Sequence, residues 1–464
     1  MTMLLAGCPE PQLTAVDLVR PTEWVAVAAC EPAAPKVDVL FVVDDSGSML
    51  DTADALAENL SDFGHVYARA GLDVRIAVTR TSVPSSDCAA DDVALVASSC
   101  RDRLEDFVAP PSHESDSGDA AQTCARTCAE DAFTIAPSPV HGDDTSRVRP
   151  WIAPDTVEDL PAALACLGQV GVSGCDAESP LAAVLRVLDR TDDPADPAFG
   201  FVRPDAALAV VILTDEDDCS RPDGALPLPV DGTRSSACWR AGSRCERDGE
   251  PWCEPNPGGA LLDLDAVFAR LDALEADKQR FVEGQRVFVS AVAGVPRAFP
   301  EEPLRYAFDT GTPFEAAFGV GPGCTEPGMA APPVRVRAVA EAYAAWNRDL
   351  VSTCGETWLP ALACIPGGPP QLERLCFEAD AEDDAQRLAE TCILVDDVGN
   401  TPVALPTCDE VCDDEGCTQA VPPDAEACVI WVPQGCEDRA EARLLRRDPA
   451  SAGRCVEVRC GIEL

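Results

Sequence analysis

The stretch Val37-Asp-Val-Leu-Phe-Val-Val43 is apolar but for one acid, has the length of a strand, and stops at Asp44-Asp45-Ser46-Gly47-Ser48-Met49. So continuous a run belongs to a strand buried on both faces, as in a parallel sheet covered by helices. Two further runs behave alike: Ala206 to Leu213, ended by Thr214-Asp215-Glu216-Asp217-Asp218-Cys219, and Gln285 to Gly294. Leu72 to Thr79 alternates and predicts another strand. Apolar residues at helical spacing predict helices over 50–70 (Leu56, Leu60, Phe63, Val66), 157–167, 179–188, 264–276, 336–346 and 358–365. This alternation predicts an α/β fold, a doubly wound and mostly parallel sheet over residues 36–365.

Two polar, cysteine-bearing insertions interrupt the pattern, at about 83–150 and 219–262. From Pro366 the helical period fades and cysteines become dense. Residues 391–395, 427–432 and 454–458 read as short strands, which predicts a small β-rich, disulfide-held C-terminal module over 366–464. Residues 9–35 are Pro-rich and irregular and read as a tether. The 24 cysteines lie mostly in Pro-, Gly- and Asp-rich loops, a usage that fits disulfides in an oxidising compartment. A zinc site would want tight Cys-x2-Cys pairs; the nearest approaches are Cys124-x3-Cys128, flanked by His113 and His141, and Cys408-x3-Cys412. The net charge of −46 excludes an ordinary nucleic-acid partner, which needs a basic face to displace counterions, and argues against electrostatic docking on anionic lipid.

At the N-terminus, Leu5-Ala6-Gly7-Cys8 resembles the lipobox of bacterial lipoproteins. That resemblance implies a signal-peptide remnant at 1–8, acylation of Cys8, and a place in the bacterial cell envelope (outer membrane, periplasmic or surface face), anchored by lipid or secreted. The alternative is an ordinary start with Cys8 paired to Cys30. No apolar stretch reaches the roughly 18–20 residues needed to span a bilayer, so any membrane hold would be the lipid.

Asp44, Ser46 and Ser48 follow a buried strand and supply hard oxygen ligands at alternate positions. Glu178-Ser179-Pro180-Leu181 opens a helix, and Asp215 follows another buried strand. In this order the three loops resemble the von Willebrand factor type A domain with its metal-ion-dependent adhesion site, over residues 36–365 outside the insertions. The resemblance implies that the hydroxyls of Ser46 and Ser48 touch a divalent cation, Mg2+ or Ca2+, and that Asp44 and Asp215 act through bound water. It also implies an open coordination position that takes an acidic side chain of a protein or cell-surface ligand. Two features depart from the family. Ser179, with Glu178 beside it, stands where Thr is usual, and Asp217 and Asp218 follow Asp215 and would add charge at the mouth. Both favour a closed, structural ion, the competing expectation. Without a metal, Asp44, Ser46 and Ser48 would form a turn capping the next helix and Ser179 a helix N-cap.

An enzyme is not expected. Asp45-Ser46 could mimic the nucleophile of a metal phosphatase, but such enzymes hold paired ions with several His. This chain has only His65, His113 and His141. No Gly-x-Ser-x-Gly elbow supports a hydrolase triad.

Overall fold

The computed structural model describes residues 25–30 and 36–361, less short gaps at 70–72, 91, 109–117, 130–132, 248–250, 282–285, 300–301, 326–327, 344–349, 356 and 359–360. Beyond 361 it describes chiefly strands between 373 and 460. Cys8 and His113 lie outside the described residues.

Residues 36–68 and 73–366 form one compact unit. Its centre is a five-stranded sheet: β1 (Lys36–Val43), β2 (Asp73–Arg80), β3 (Ala207–Leu213), β4 (Val287–Ala293) and β5 (Leu350–Ser352), in the spatial order β5-β4-β3-β1-β2. Every pairing is parallel. All residues of β3 and β4 are buried, and all of β1 after Lys36. Strands apolar on both faces need cover on both, and helices supply it. Leu40 and Val42 share a core cluster with residues of α3 (Pro180–Asp192), α4 (Leu264–Gln279) and α5 (Val334–Ala342). On the other face Phe41 stacks on Phe63 of α1 (Ala53–Arg69), ring centroids 5.6 Å apart. There α1 crosses α2 (Leu160–Gly168) at Gly64, where a Cβ would sit 2.5 Å from the Pro161 Cα. The one acid inside β1, Asp38, is wholly buried and is held by Arg203, whose backbone N–H and Nε donate to it at 2.6 and 2.7 Å.

Of the helix expected at 358–365 only Trp358 and Ala361 are described, the rest lying outside the described residues; Trp358 is buried and its backbone N–H donates to the Asn59 side chain. The structure adds to the sequence reading in two places. The fifth strand, Leu350–Ser352, was not anticipated. The first insertion shares a small core with α2 and the segment after it: its Cys100, Phe107, Cys124 and Cys128 cluster with Cys166 and Val172. Part of it also covers the exposed edge of β2, through a backbone bond from Val96 to Val78 and an antiparallel bridge from Ile152 to Ile76.

Cys124 and Cys128 hold no zinc; each is in a disulfide, Cys100–Cys124 and Cys128–Cys166. Cys88–Cys175, Cys219–Cys238, Cys245–Cys253 and Cys324–Cys354 staple the rest of this unit.

The second unit comprises residues 1–35, 69–72 and 367–464. Its described parts are antiparallel. Strand Val25–Cys30 pairs with Cys455–Cys460, which pairs with Cys392–Val398 and that with Thr401–Ala404. Strand Arg439–Arg446 pairs with Glu373–Phe377 on one side and Ala427–Cys436 on the other. The Cys408–Cys428 disulfide lies in this unit. Val25–Cys30 thus runs as a strand within the segment read as a tether.

Candidate metal centre

In the central sheet the chain leaves β1 toward β2 on one side and later adds β3, β4 and β5 on the other. The order therefore reverses between β1 and β3. At such a switch point the loops after neighbouring strands diverge and leave a crevice at the carboxyl ends, where open α/β sheets bind ligands. Val43 pairs with Leu213 there, so Asp44 and Thr214 leave the sheet side by side.

Asp44 is fixed on three sides. Its N–H donates to the Leu213 carbonyl at 2.9 Å. Its carboxylate accepts from the Ser46 N–H at 2.8 Å, the turn expected from Asp-x-Ser, and from the Thr214 hydroxyl at 2.6 Å. The Ser46 and Ser48 hydroxyls lie 2.9 Å apart, and the Ser48 hydroxyl donates to Asp215 Oδ1 at 3.0 Å. Asp44, Ser46, Ser48 and Asp215 are therefore linked by successive hydrogen bonds, although Asp215 stands 167 residues from Ser48. Asp44, Ser46 and Asp215 are buried; Ser48 is half-buried and opens the rim to solvent.

The second loop departs from expectation. The Ser179 hydroxyl turns back to the Ala177 carbonyl at 3.0 Å and makes no capping bond to α3. Glu178 has no exposed surface, and its backbone is clamped by the Cys219 N–H on its carbonyl. One carboxylate oxygen accepts from the Thr81 hydroxyl; the other, Oε1, is buried with no hydrogen-bond partner. Burial pushes the Glu178 carboxyl well above its ordinary value, and Asp44, Asp45 and Glu216 push it further. Glu216 is raised in the same way, by burial first and then by Asp215 and Asp44, while its Oε1 accepts from Ser235 at 3.1 Å. Burial also raises Asp44, against the hydrogen bonds from Ser46 and Thr214. It takes Asp45 up to about 6 although Ser82 donates to it twice. Gly174 seats against Asp45 and closes that side: a Cβ there would stand 2.6 Å from the Asp45 Cγ.

Asp217 and Asp218 do not add charge to the mouth, as the sequence reading had it; they turn inward. Asp217 accepts from the N–H groups of Arg335 and Val336 at 2.9 and 3.3 Å and so caps α5 from a distance. Asp218 Oδ2 meets Arg335 Nε at 3.0 Å, and its Oδ1 accepts from the Leu181 N–H in the first turn of α3. The acidic run thus neutralises one buried arginine and satisfies first-turn donors of two helices.

Thr81, Ser82 and Glu216 take part in the site and were not anticipated; their only sequence signal is that they follow β2 or β3 directly. Among the described residues no three His, Cys, Asp or Glu side chains converge as a ready ligand set. An ion at this rim depends on the two serine hydroxyls. The donor set nevertheless fits a hard divalent cation. It combines two neutral hydroxyls, carboxylates beside them, and one buried carboxylate oxygen without a partner.

No family model and no curated protein matches the chain. Among solved structures it shows a distant likeness to the pilus adhesin RrgA from Streptococcus pneumoniae, with 9% identity and a TM-score of 0.26. The match covers 94% of this chain and 58% of that one.

Proposed function

We propose that residues 36–365 act as a type A domain of the von Willebrand factor kind, binding a protein or surface ligand through a divalent cation, Mg2+ or Ca2+, whose open coordination position takes an acidic group. Ser46 and Ser48 would hold the ion directly; Asp44 and Asp215 would orient its bound water and lower its charge. The observation that carries this reading is the contact of Ser48 with Asp215 at 3.0 Å across the switch point, because it joins the two loops that the family's site requires. Neutral hydroxyls in direct contact leave a cation electrophilic, so an incoming carboxylate gains from binding it. The disulfides agree with an oxidising, extracytoplasmic location, and an acyl anchor at Cys8 completes the proposal of an envelope binding protein without enzymatic activity.

One observation favours a second reading. Glu178 brings an unpartnered, buried oxygen to the same group of acids. If that oxygen enters the ion's shell, the added negative charge closes the site, and the cation stiffens the sheet end without taking a ligand.

The test is capture of partners from a cell-envelope extract by immobilised full-length protein, with Mg2+ and then with chelator. The proposal expects bound partners that elute with chelator and are absent from an Asp44→Ala column whose protein keeps its circular dichroism spectrum. Capture indifferent to both chelator and substitution contradicts it.

A further inference from the structure

We infer that the cavity over the carboxyl end of β2 is a second, anion-selective subsite for the same ligand, with Arg80 as its specificity-determining residue; the inference rests on the metal-dependent capture proposed above. The cavity measures about 610 Å3, within the range of sites that enclose a small ligand. Asp45 lines it, Ala89, Ala90 and residues 92–97 of the first insertion form one wall, and Ser173, Gly174 and Cys175 form another. Arg80 ends β2 beside Val43, so its side chain starts next to the loop that carries Ser46.

The charges decide what this cavity takes. Its two cations, Arg80 and Arg103, share one carboxylate, that of Asp106. Arg103 is otherwise spent on four backbone carbonyls, those of Ser98, Leu167, Gln169 and Val170. The other acids of the lining are engaged elsewhere: Asp92 turns to Arg190 at 2.7 Å, and Asp45 Oδ1 accepts from Ser82 and Thr81. Arg80 commits one nitrogen, Nη2, to Asp106, and its side chain stays 30% exposed. Among the described residues its Nε and Nη1 meet no acceptor, so each keeps an N–H that can donate singly to an incoming carboxylate. The chain's −46 charge repels any anionic ligand at long range, so such a ligand needs local cations. One would be the ion; the other is Arg80. The Cys88–Cys175 disulfide ties the start of the insertion wall to the second loop and preorganises the cavity. The ligand class is a peptide with two acidic side chains, one for the ion and one for Arg80.

Isothermal titration with capped peptides tests this. The peptides carry either one Glu or two Glu separated by one to three Gly, and are titrated into the full chain in saturating Mg2+. The best two-acid peptide should bind about tenfold more tightly than the one-acid peptide. Arg80→Gln should erase that advantage and leave the one-acid affinity unchanged. The fold should survive, because Asp106 keeps Arg103. Ser173→Glu, a change at an exposed position of the lining, should erase the advantage by repulsion alone. A two-acid advantage that persists in both variants, or no advantage in the wild type, overturns the subsite. Binding of neither peptide overturns the subsite and the function it rests on. Binding that needs Arg80 but not Mg2+ supports the subsite and contradicts only the metal.

Discussion

Glu178 is the side chain whose surroundings separate an open ion from a closed one. It is fully buried, holds one hydroxyl hydrogen bond, and faces the repulsion of Asp44, Asp45 and Glu216. Glu178→Gln keeps an oxygen for Thr81 and removes that repulsion. The metal-free variant, scanned in chelator at pH 7.5, should melt about 1–3 °C above the wild type; a lower Tm would show that the carboxylate is stabilised by its site. Asp44, Ser46, Ser48 and Asp215 were legible in the sequence because each follows an apolar strand directly, and parallel strands bring their carboxyl ends together. The choice between Glu178 and Ser179 was not legible. It depends on how the backbone enters α3 at Pro180 and on the Cys219 N–H that clamps the Glu178 carbonyl. Thr81 and Ser82 carried no motif at all.

At the scale of elements, three long strands were readable from their apolar runs and β2 from its alternation, whereas β5 has three residues and no pattern to mark it. The acidic run after β3 misled for a physical reason. Sequence shows charge but not direction, and Asp217 and Asp218 point at Arg335 and at two helix starts rather than at solvent. The core that holds the first insertion shows no periodicity in the sequence, because it is made of cysteines and a few apolar residues far apart in the chain. A hairpin within it, Ser138–Val140 with Asp143–Arg147, offers a pH test. Hydrogen bonds from Arg149 and Thr145 hold Asp143 down to about 2. A carboxyl whose folded value is depressed stabilises the folded state fully above its unfolded value, near 3.8, and loses that contribution as pH falls through about 2. Carboxyl NMR should find Asp143 titrating near 2 in the wild type and closer to 3.8 in Arg149→Gln. An ordinary value in the wild type would contradict the contact.

For the whole molecule, composition foretold the covalent frame but not its connectivity. Seven disulfides join described cysteines, and no helix among the described residues is long and apolar enough to cross a membrane. Non-reducing peptide mapping should recover Cys100–Cys124 and Cys128–Cys166 as linked peptides. Free thiols there, together with zinc bound to the chain, would reverse the assignment. An ion held between the ends of β1 and β3 should also stabilise the whole unit, since binding to the folded state alone contributes about 2.7 kcal/mol at a hundredfold excess over Kd. The most direct measurement is a calorimetric titration of Mg2+ and Ca2+ into chelator-stripped wild type, Ser48→Ala and Asp215→Asn, with a melting scan of each. The account predicts uptake of a single ion and a raised Tm in the wild type, with both lost in each variant while the fold persists. No uptake by the folded wild type, or uptake that neither substitution weakens, would contradict it.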